Sequence, residues 1–324
     1  MRTLEWLDPT DDAQFGEFHA AYTAAHDSQW DRPYEAHEQR AELLDDAGYV
    51  DLRGVLVREA DGTVGGVGII EMPLKDNGTL AYVSAHIVPA HRRCGHGTAV
   101  IGAFVEMARS RGRRTLFAEA RWNVEMEGSG NTLFAERMGF RLDLADAHRV
   151  LDLPATMPDA PVRDGYQLRS WRGPCPVEWI DEYATLLALI VQEAPTGDYP
   201  LENEYFDAAR VRSEEELLMT QRRHRQVVVA IGPDGRLAGH TQLVVSVDEG
   251  SDAFQWDTLV LREHRGHGLG LSIKVEAMRV AQDLLVGRSY VHTYNAGSNG
   301  PMIAVNEAMG FRQVGWLGEF IREL

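Results

Sequence analysis

The chain has 324 residues, with 49 acidic and 32 basic side chains and a formal charge of −17. Nucleic-acid recognition depends on Lys and Arg neutralising phosphates, so this balance argues against a nucleic-acid partner. It suits a solubilising surface, with steering of a cationic substrate as the sharper alternative. The longest apolar stretch, around Leu186 to Val191, falls far short of the roughly 20 residues that a bilayer span requires. The start, Met1-Arg2-Thr3-Leu4-Glu5-Trp6, lacks the apolar core of a signal peptide, and Cys94 and Cys175 give no disulfide framework. The expectation is a cytoplasmic protein without membrane contact. At this length two domains of about 160 residues can each bury a full core.

In chain order, Asp8-Pro9-Thr10 starts a helical pattern through Phe15, Phe18, Tyr22 and Ala25, and a second helical stretch covers Tyr34 to Leu44. The period then changes to strands: Gly54 to Glu59, a turn at Asp61-Gly62, Val64 to Met72, a loop at Asp76-Asn77-Gly78, and Leu80 to Val88. Short turns make these an antiparallel meander. A glycine turn follows, then a helix from about Thr98 to Arg111, a strand Thr115 to Ala120 and a short helix near Asn131 to Arg137. The second half repeats that order. A strongly apolar helix Pro176 to Gln192 and another ending near Arg223 precede strands Gln226 to Ile231, Leu237 to Val247 and Ala253 to Leu261. A second glycine turn, a helix from Leu269 to Leu284, a strand Ser289 to Tyr294, a short helix Met302 to Glu307 and a strand Val314 to Ile321 complete it. Between the halves, Leu153 to Pro161 carries three prolines and reads as an extended linker. The expected domains are 1–153 and 165–324, joined by a Pro-rich linker at 154–164.

The two glycine turns are copies. Arg92-Arg93-Cys94-Gly95-His96-Gly97 and Arg265-Gly266-His267-Gly268-Leu269-Gly270 both fit Arg-x-x-Gly-x-Gly after a His, and Met138-Gly139-Phe140 and Met309-Gly310-Phe311 recur downstream. A period of about 172 residues means two homologous halves. A strand, a glycine turn and a helix together make an anion site, because the first N–H groups of the helix and its dipole point at one spot. Neither copy has the Gly-Lys-Ser/Thr of a nucleotide triphosphatase or completes Gly-x-Gly-x-x-Gly, and a preceding meander is wrong for a dinucleotide fold.

With these residues the sequence resembles the GNAT superfamily of acyl-CoA N-acyltransferases, over nearly the whole chain as a tandem pair of actinobacterial type. Asn131 to Phe140 and Asn299 to Phe311 are similar to the superfamily's later Asn-to-Gly-Phe segment. The resemblance implies an α/β (α+β) fold of two tandem GNAT-like domains, each a mixed, mostly antiparallel sheet flanked by helices. It also implies acetyl-CoA or another acyl-CoA as co-substrate. Gly266 to Leu271, with Arg265, His267, Gly268, Leu269 and Gly270, would hold its pyrophosphate, and Thr258, Leu259, Val260 and Leu261 would pair with the pantetheine arm beside Asn299. The matching first-half positions are His86, Ile87, Val88, Arg92, Arg93, Cys94, Gly95, His96, Gly97, Thr98 and Asn131. Lys274, one turn past Gly270, is a phosphate contact or a lysine on an exposed helix face.

An alkylamine with a pKa near 10 is about one part in a thousand nucleophilic at pH 7, so a base must take its proton, and a strand N–H near Val260 would stabilise the oxyanion. Asp257 is the expected base or amine anchor. Ser84 stands at its first-half position, which favours the second domain for chemistry; Glu263, Glu319 and the terminal carboxylate of Leu324 are weaker candidates. The resemblance would place a Tyr acid at Ala135 and Asn306. Its loss leaves three readings: Tyr294 or His292 substitutes, the thiolate leaves unaided, or the site binds without turnover. Asp198, Tyr199, Glu202, Glu204 and Tyr205 are contacts for a cationic amine or a solvated loop, and Trp256 is a further expected substrate contact. His91 and His264 are expected to pack the turns, and His86, His91 and His96 are not expected to converge on a metal. The expected function is transfer of an acetyl group to a primary amine of a small molecule by a monomer or homodimer. An acyl-CoA sensor or scaffold and a mycothiol-synthase-like acetyltransferase are the alternatives.

Overall fold

The computed structural model describes residues 2–124, 130–193, 195, 197–248 and 250–324. The chain forms two compact units. Unit 1 comprises Met1–Trp122, Met126–Asp143 and Gly318–Leu324, and unit 2 comprises Asn123–Glu125 and Leu144–Leu317.

Unit 1 contains β1 (Thr3–Trp6), α1 (Asp12–Ala25), α2 (Ala36–Leu43), β2 (Val50–Arg58), β3 (Val64–Pro73), β4 (Leu80–Ile87), α3 (His96–Ser110), β5 (Thr115–Asn123) and α4 (Gly130–Arg137). β1 through β4 are successive antiparallel neighbours, and β5 joins β4 in parallel. Asp11 caps α1 by accepting from the N–H groups of Ala13 and Gln14, and the helix buries Phe15, Phe18, Ala21 and Tyr22. α3 buries Val100, Ile101, Phe104, Val105 and Ala108 on the other face. Gly68 on β3 allows that packing, since a Cβ there would lie 2.4 Å from Val100 Cγ1.

Unit 2 contains β6 (Arg141–Asp152, from Leu144 onward), β7 (Gln167–Arg172), α5 (Ile180–Ala188), α6 (Ile190–Glu193), α7 (Ala208–Thr220), β8 (Arg223–Ile231), β9 (Leu237–Ser246), β10 (Ala253–Val260), α8 (Leu269–Val280), α9 (Gln282–Leu285), β11 (Tyr290–Ala296), α10 (Gly300–Met309) and the start of β12 (Arg312–Glu323). Its strand order from β6 is β6-β11-β10-β9-β8-β7, with only β10 and β11 parallel. Val227 and Val229 join a core with Trp171, Tyr183, Leu187 and Val211, whereas Val228 and Ala230 pack with Leu269, Ile273 and Ala277. That alternation puts helices on both faces, and β9 is accordingly buried at every position.

The units do not coincide with the halves of the sequence. Asp146–Asp152 of the first half pair antiparallel with β11, and Gly318–Leu324 of the second half belong to unit 1, where Leu324 N–H donates to Arg114 O. β1, β6 and β7 are absent from the sequence reading. β1 is only four residues long and mostly exposed, and β6 and β7 are rich in charged or polar residues, so the apolar pattern that marks a strand is weak in each. No helix among the described residues is long and apolar enough to cross a membrane.

Candidate active site

Both glycine turns are built alike. A short 3₁₀ turn, Pro89–His91 or Arg262–His264, leads out of the strand, and a left-handed glycine, Gly95 at φ 83° or Gly268 at φ 76°, opens α3 or α8. The motif arginines turn away from the helix start. Arg92 Nε donates to Ile87 O at 3.1 Å and its guanidinium pairs with Asp27, while Arg265 Nε donates to Val260 O at 3.1 Å and pairs with Glu193. Their role is to build the turn.

The turns differ in what covers them. A Cβ at Gly266 or Gly268 would meet nothing within 4 Å, and one at Gly270 only Val305 Cγ2 at 3.8 Å. At Gly95 it would lie 2.9 Å from the guanidinium of Arg2, which donates to Cys94 O, and at Gly97 it would strike the Phe134 ring at 2.8 Å. His96 is buried, with Nε2 2.6 Å from Glu59 Oε1 and Nδ1 3.3 Å from Arg2 Nη1. His91 also converges here, 3.8 Å from the same carboxylate oxygen. This corrects the expectation that residues five apart would diverge, because the 3₁₀ turn folds His91 back over the glycine turn; His86 instead lies against Tyr22 and His26. Arg93, Cys94 and Thr98 are exposed at the turn. Asn131 donates to Arg121 O, and Asn299 caps α10 by accepting from Met302 N–H. Leu269 is core with Val228 and Ile273, and Leu271 packs against a separate core that includes Leu151 and Val291; His267 Nδ1 lies within 3.2 Å of the His264 and Arg265 carbonyls.

Beside the open turn the sheet splits. β10 and β11 pair only at Ala253 and Phe254 with Val291 and His292, after which their facing edges separate, as β4 and β5 do beyond Val83. β10 alone of these two parallel-paired leading strands carries a bulge: between Gln255 and Thr258 two residues, Trp256 and Asp257, oppose one on β9, whereas β4 pairs with β3 without a register shift. The bulge re-aims both side chains. Asp257 keeps access to solvent but lies deep within surrounding protein, and that burial pushes its carboxyl above the usual range against the opposing pull of Arg225. Gln242 Nε2 reaches Asp257 Oδ2 at 3.5 Å, and Thr258 Oγ1 bonds Thr241 Oγ1 at 2.7 Å. Leu259 is core, and Leu261 N–H donates to Ala238 O.

Around Asp257 lies a polar set that sequence reasoning missed. Tyr183 and His240 are fully buried, ring against ring at 5.5 Å. Tyr183 Oη, both His240 nitrogens, Gln242 Oε1 and Arg225 Nε have no hydrogen-bond partner among the described residues. Burial lowers the His240 imidazole to about 3 and raises Glu214, 3.9 Å from Arg225, to about 7. The signal was available: His240, Thr241 and Gln242 interrupt an otherwise apolar strand, and buried polar atoms left unpaired favour a polar ligand.

Other expected residues are held elsewhere. His292 is fully buried between Asp252 Oδ2 at 3.0 Å and His148 Nε2 at 2.9 Å, and the Tyr294 ring stacks on His148 at 4.4 Å. Tyr205 donates to Asp207, the cap of α7; Asp198 is exposed and Tyr199 half-buried in the same connection. Glu319 and Leu324 lie in Gly318–Leu324, the segment of the second half that belongs to unit 1. Lys274 is not on an exposed face. It is 1 % exposed and directed at Asn306, because its position on α8 faces α10.

Residues 17–140 match the model of the Acetyltransferase (GNAT) family. Over 100 % of this chain and 98 % of its own, a tandem GNAT protein from the clavulanic acid biosynthesis pathway superposes with TM-score 0.84 at 26 % identity. Over residues 17–140 the chain is thus similar to the GNAT acetyltransferases, and over its whole length to a tandem GNAT protein. A GCN5-related N-acetyltransferase from Sphaerobacter thermophilus shares the fold at TM-score 0.70 and 18 % identity, over 99 % and 95 % of the two chains. A glucosamine N-acetyltransferase region of a fungal multi-domain protein does so at TM-score 0.69 and 15 % identity, over 99 % of this chain and 38 % of that one. No curated protein matches. The GNAT architecture is thus present twice in one mixed α/β chain, and the open turn and split strands of unit 2 have the chemistry to receive an acyl-CoA: free glycine faces for a diphosphate and an unpaired strand edge for an amide-bearing arm.

Proposed function

We propose that the protein transfers an acetyl group from acetyl-CoA to a primary amine of a small molecule, with the chemistry in unit 2. The observation that carries this reading is the union of an uncovered Gly266–Gly268 face with a split strand pair and a bulge-borne carboxylate, Asp257. Unit 1 supports the assignment by contrast, since Arg2 and Phe134 lie against its glycines and Ser84 stands where unit 2 has Asp257.

The co-substrate supplies an activated acyl group whose thioester carbonyl accepts the nucleophile. The chain's own residues do the rest. Amides at the start of α8 face the diphosphate, and the free edge of β10 from Thr258 to Leu261 pairs with the arm. Asp257 holds the acceptor ammonium and takes its proton, and its raised carboxyl makes it a better base than an ordinary aspartate. The unpartnered Tyr183 Oη, His240 and Gln242 Oε1 offer donors and acceptors to the body of the acceptor. This polar lining supports a hydroxylated or amide-bearing small molecule over a purely apolar amine.

Calorimetry with acetyl-CoA and thiol release across a panel of small amines test the reading. Acceptor-dependent release that falls by about 10² or more in Asp257→Asn is the expected result. Tight acetyl-CoA binding with no acceptor-dependent release over a broad panel would favour the sensor, and absence of binding at millimolar ligand would end the assignment.

A further inference from the structure

Only two of the chain's 32 basic residues are lysines, Lys75 and Lys274. Lys75 is exposed, and Lys274 is buried inside unit 2. Its Nζ donates to Asn306 Oδ1 at 2.6 Å and lies 5.2 Å over the Phe311 ring, and among the described residues no carboxylate pairs with it. The nearby acids on these helices pair elsewhere, Glu276 with Arg279 and Glu307 with Arg149. Burial alone therefore acts on the ammonium, and lowers it to about 7.

The direction of the chain of hydrogen bonds is fixed when Lys274 is protonated. An ammonium has donors only, so Asn306 must turn its oxygen to Lys274 and its NH₂ to Asn295 Oδ1, the bond the structure contains. Asn295 then has its oxygen engaged and its own NH₂ left as a donor. Asn295 is half-buried and stands on β11 beyond His292, the last residue paired with β10, where the strands have separated. Lys274, Asn306 and Asn295 thus form a line from the helix after the open glycine turn to the wall of the split.

We infer that Lys274 is a positioning residue for the leaving group: through Asn306 it fixes the Asn295 amide as a donor, backed by a buried positive charge, for the thiolate released from the thioester. The inference rests on unit 2 binding an acyl-CoA. As the acceptor nitrogen bonds to the carbonyl carbon, the C–S bond breaks and its electron pair stays on sulfur. The ammonium gives one proton to Asp257 before attack, the second proton leaves the nitrogen to water as the amide forms, the sulfur is protonated from water after release, and Lys274 neither gives nor takes a proton in the step. A guanidinium could not replace it, since five donors in a rigid fork would not fit one amide oxygen and would leave donors buried and unpaired.

The test is the ionisation of the thiol of bound CoA, read by thiolate absorbance against pH in the full chain and in Lys274→Met. A free thiol titrates near about 8.5. Wild type is expected to hold it at least about one unit lower, and Lys274→Met to lose at least about tenfold of that ionisation constant, while the affinity for desulfo-CoA, which lacks the sulfur, stays unchanged. Identical thiol titration in the two proteins overturns the inference, as does a loss confined to desulfo-CoA affinity. A second measurement does not depend on the variant folding: ¹³Cε-lysine labelling gives two signals, with Lys75 assigned by Lys75→Arg. The Lys274 signal should move more with CoA than with desulfo-CoA, and equal responses overturn the inference. If calorimetry finds no CoA binding at all, the transferase reading fails and this one with it; if CoA binds with an unperturbed thiol, only this one fails.

Discussion

Arg265 donates to Glu193 at 2.6 Å and, through Nε, to Val260 O at 3.1 Å, so one guanidinium ties the end of α6 to the end of β10 across the glycine turn. Arg92 does the same in unit 1 with Asp27, Ile87 O and Ala25 O. The motif arginine satisfies its charge internally, and an anion at the turn is left to backbone amides and the helix dipole.

Arg265→Met should therefore act on stability first. The pair is partly exposed, so the cost is about 1 kcal/mol. Denaturant unfolding with and without acetyl-CoA checks it: a small loss in both, with only a secondary drop in affinity, is expected.

Gly268→Ala adds a side chain to an open face at φ 76°. The left-handed backbone costs about 1 kcal/mol, and the new methyl stands where a phosphate would approach. Acetyl-CoA affinity measured by calorimetry should fall about tenfold or more, because each 1.4 kcal/mol is a factor of ten.

Asp257→Asn should lower acceptor-dependent kcat by about 10² to 10⁴ with little change in acetyl-CoA affinity. A base must be ionised to work, and burial raises this carboxyl. The wild-type rate should rise with pH through a pKa above the ordinary aspartate range, an acid limb absent from the variant's residual rate.

Asp252→Asn tests the buried Asp252–His292 contact at 3.0 Å. Weakening a buried hydrogen-bonded contact costs about 1 to 3 kcal/mol, so a lower melting temperature is expected. Because His292 is fully enclosed, kcat of the folded fraction should be unchanged; a selective loss of kcat would return His292 to the mechanism.

His240 and Lys274 both have folded-state pKa values depressed by burial, to about 3 and about 7. The unfolded chain binds their protons first, so stability falls as pH falls: from about 10.5 toward 7 for Lys274, and from about 6.5 toward 3 for His240. Lys274→Met should flatten the upper slope and His240→Phe the lower one, measured by denaturant unfolding at a series of pH values.

The sequence by itself determined the repeat, the meander, both glycine turns and the helices that follow, because each rests on local periodicity or on glycine's access to left-handed backbone. The place of Asp257 on the strand before that turn was legible for the same reason. Tertiary structure alone decided the rest. β6 and β12 leave the halves that encode them in part, since strand pairing is set by contacts distant in sequence. Arg2 and Phe134 cover one cradle and leave the other open, although the turns themselves are copies. Lys274 faces inward because α10 packs on α8, and no residue within a helical turn of it carries that information.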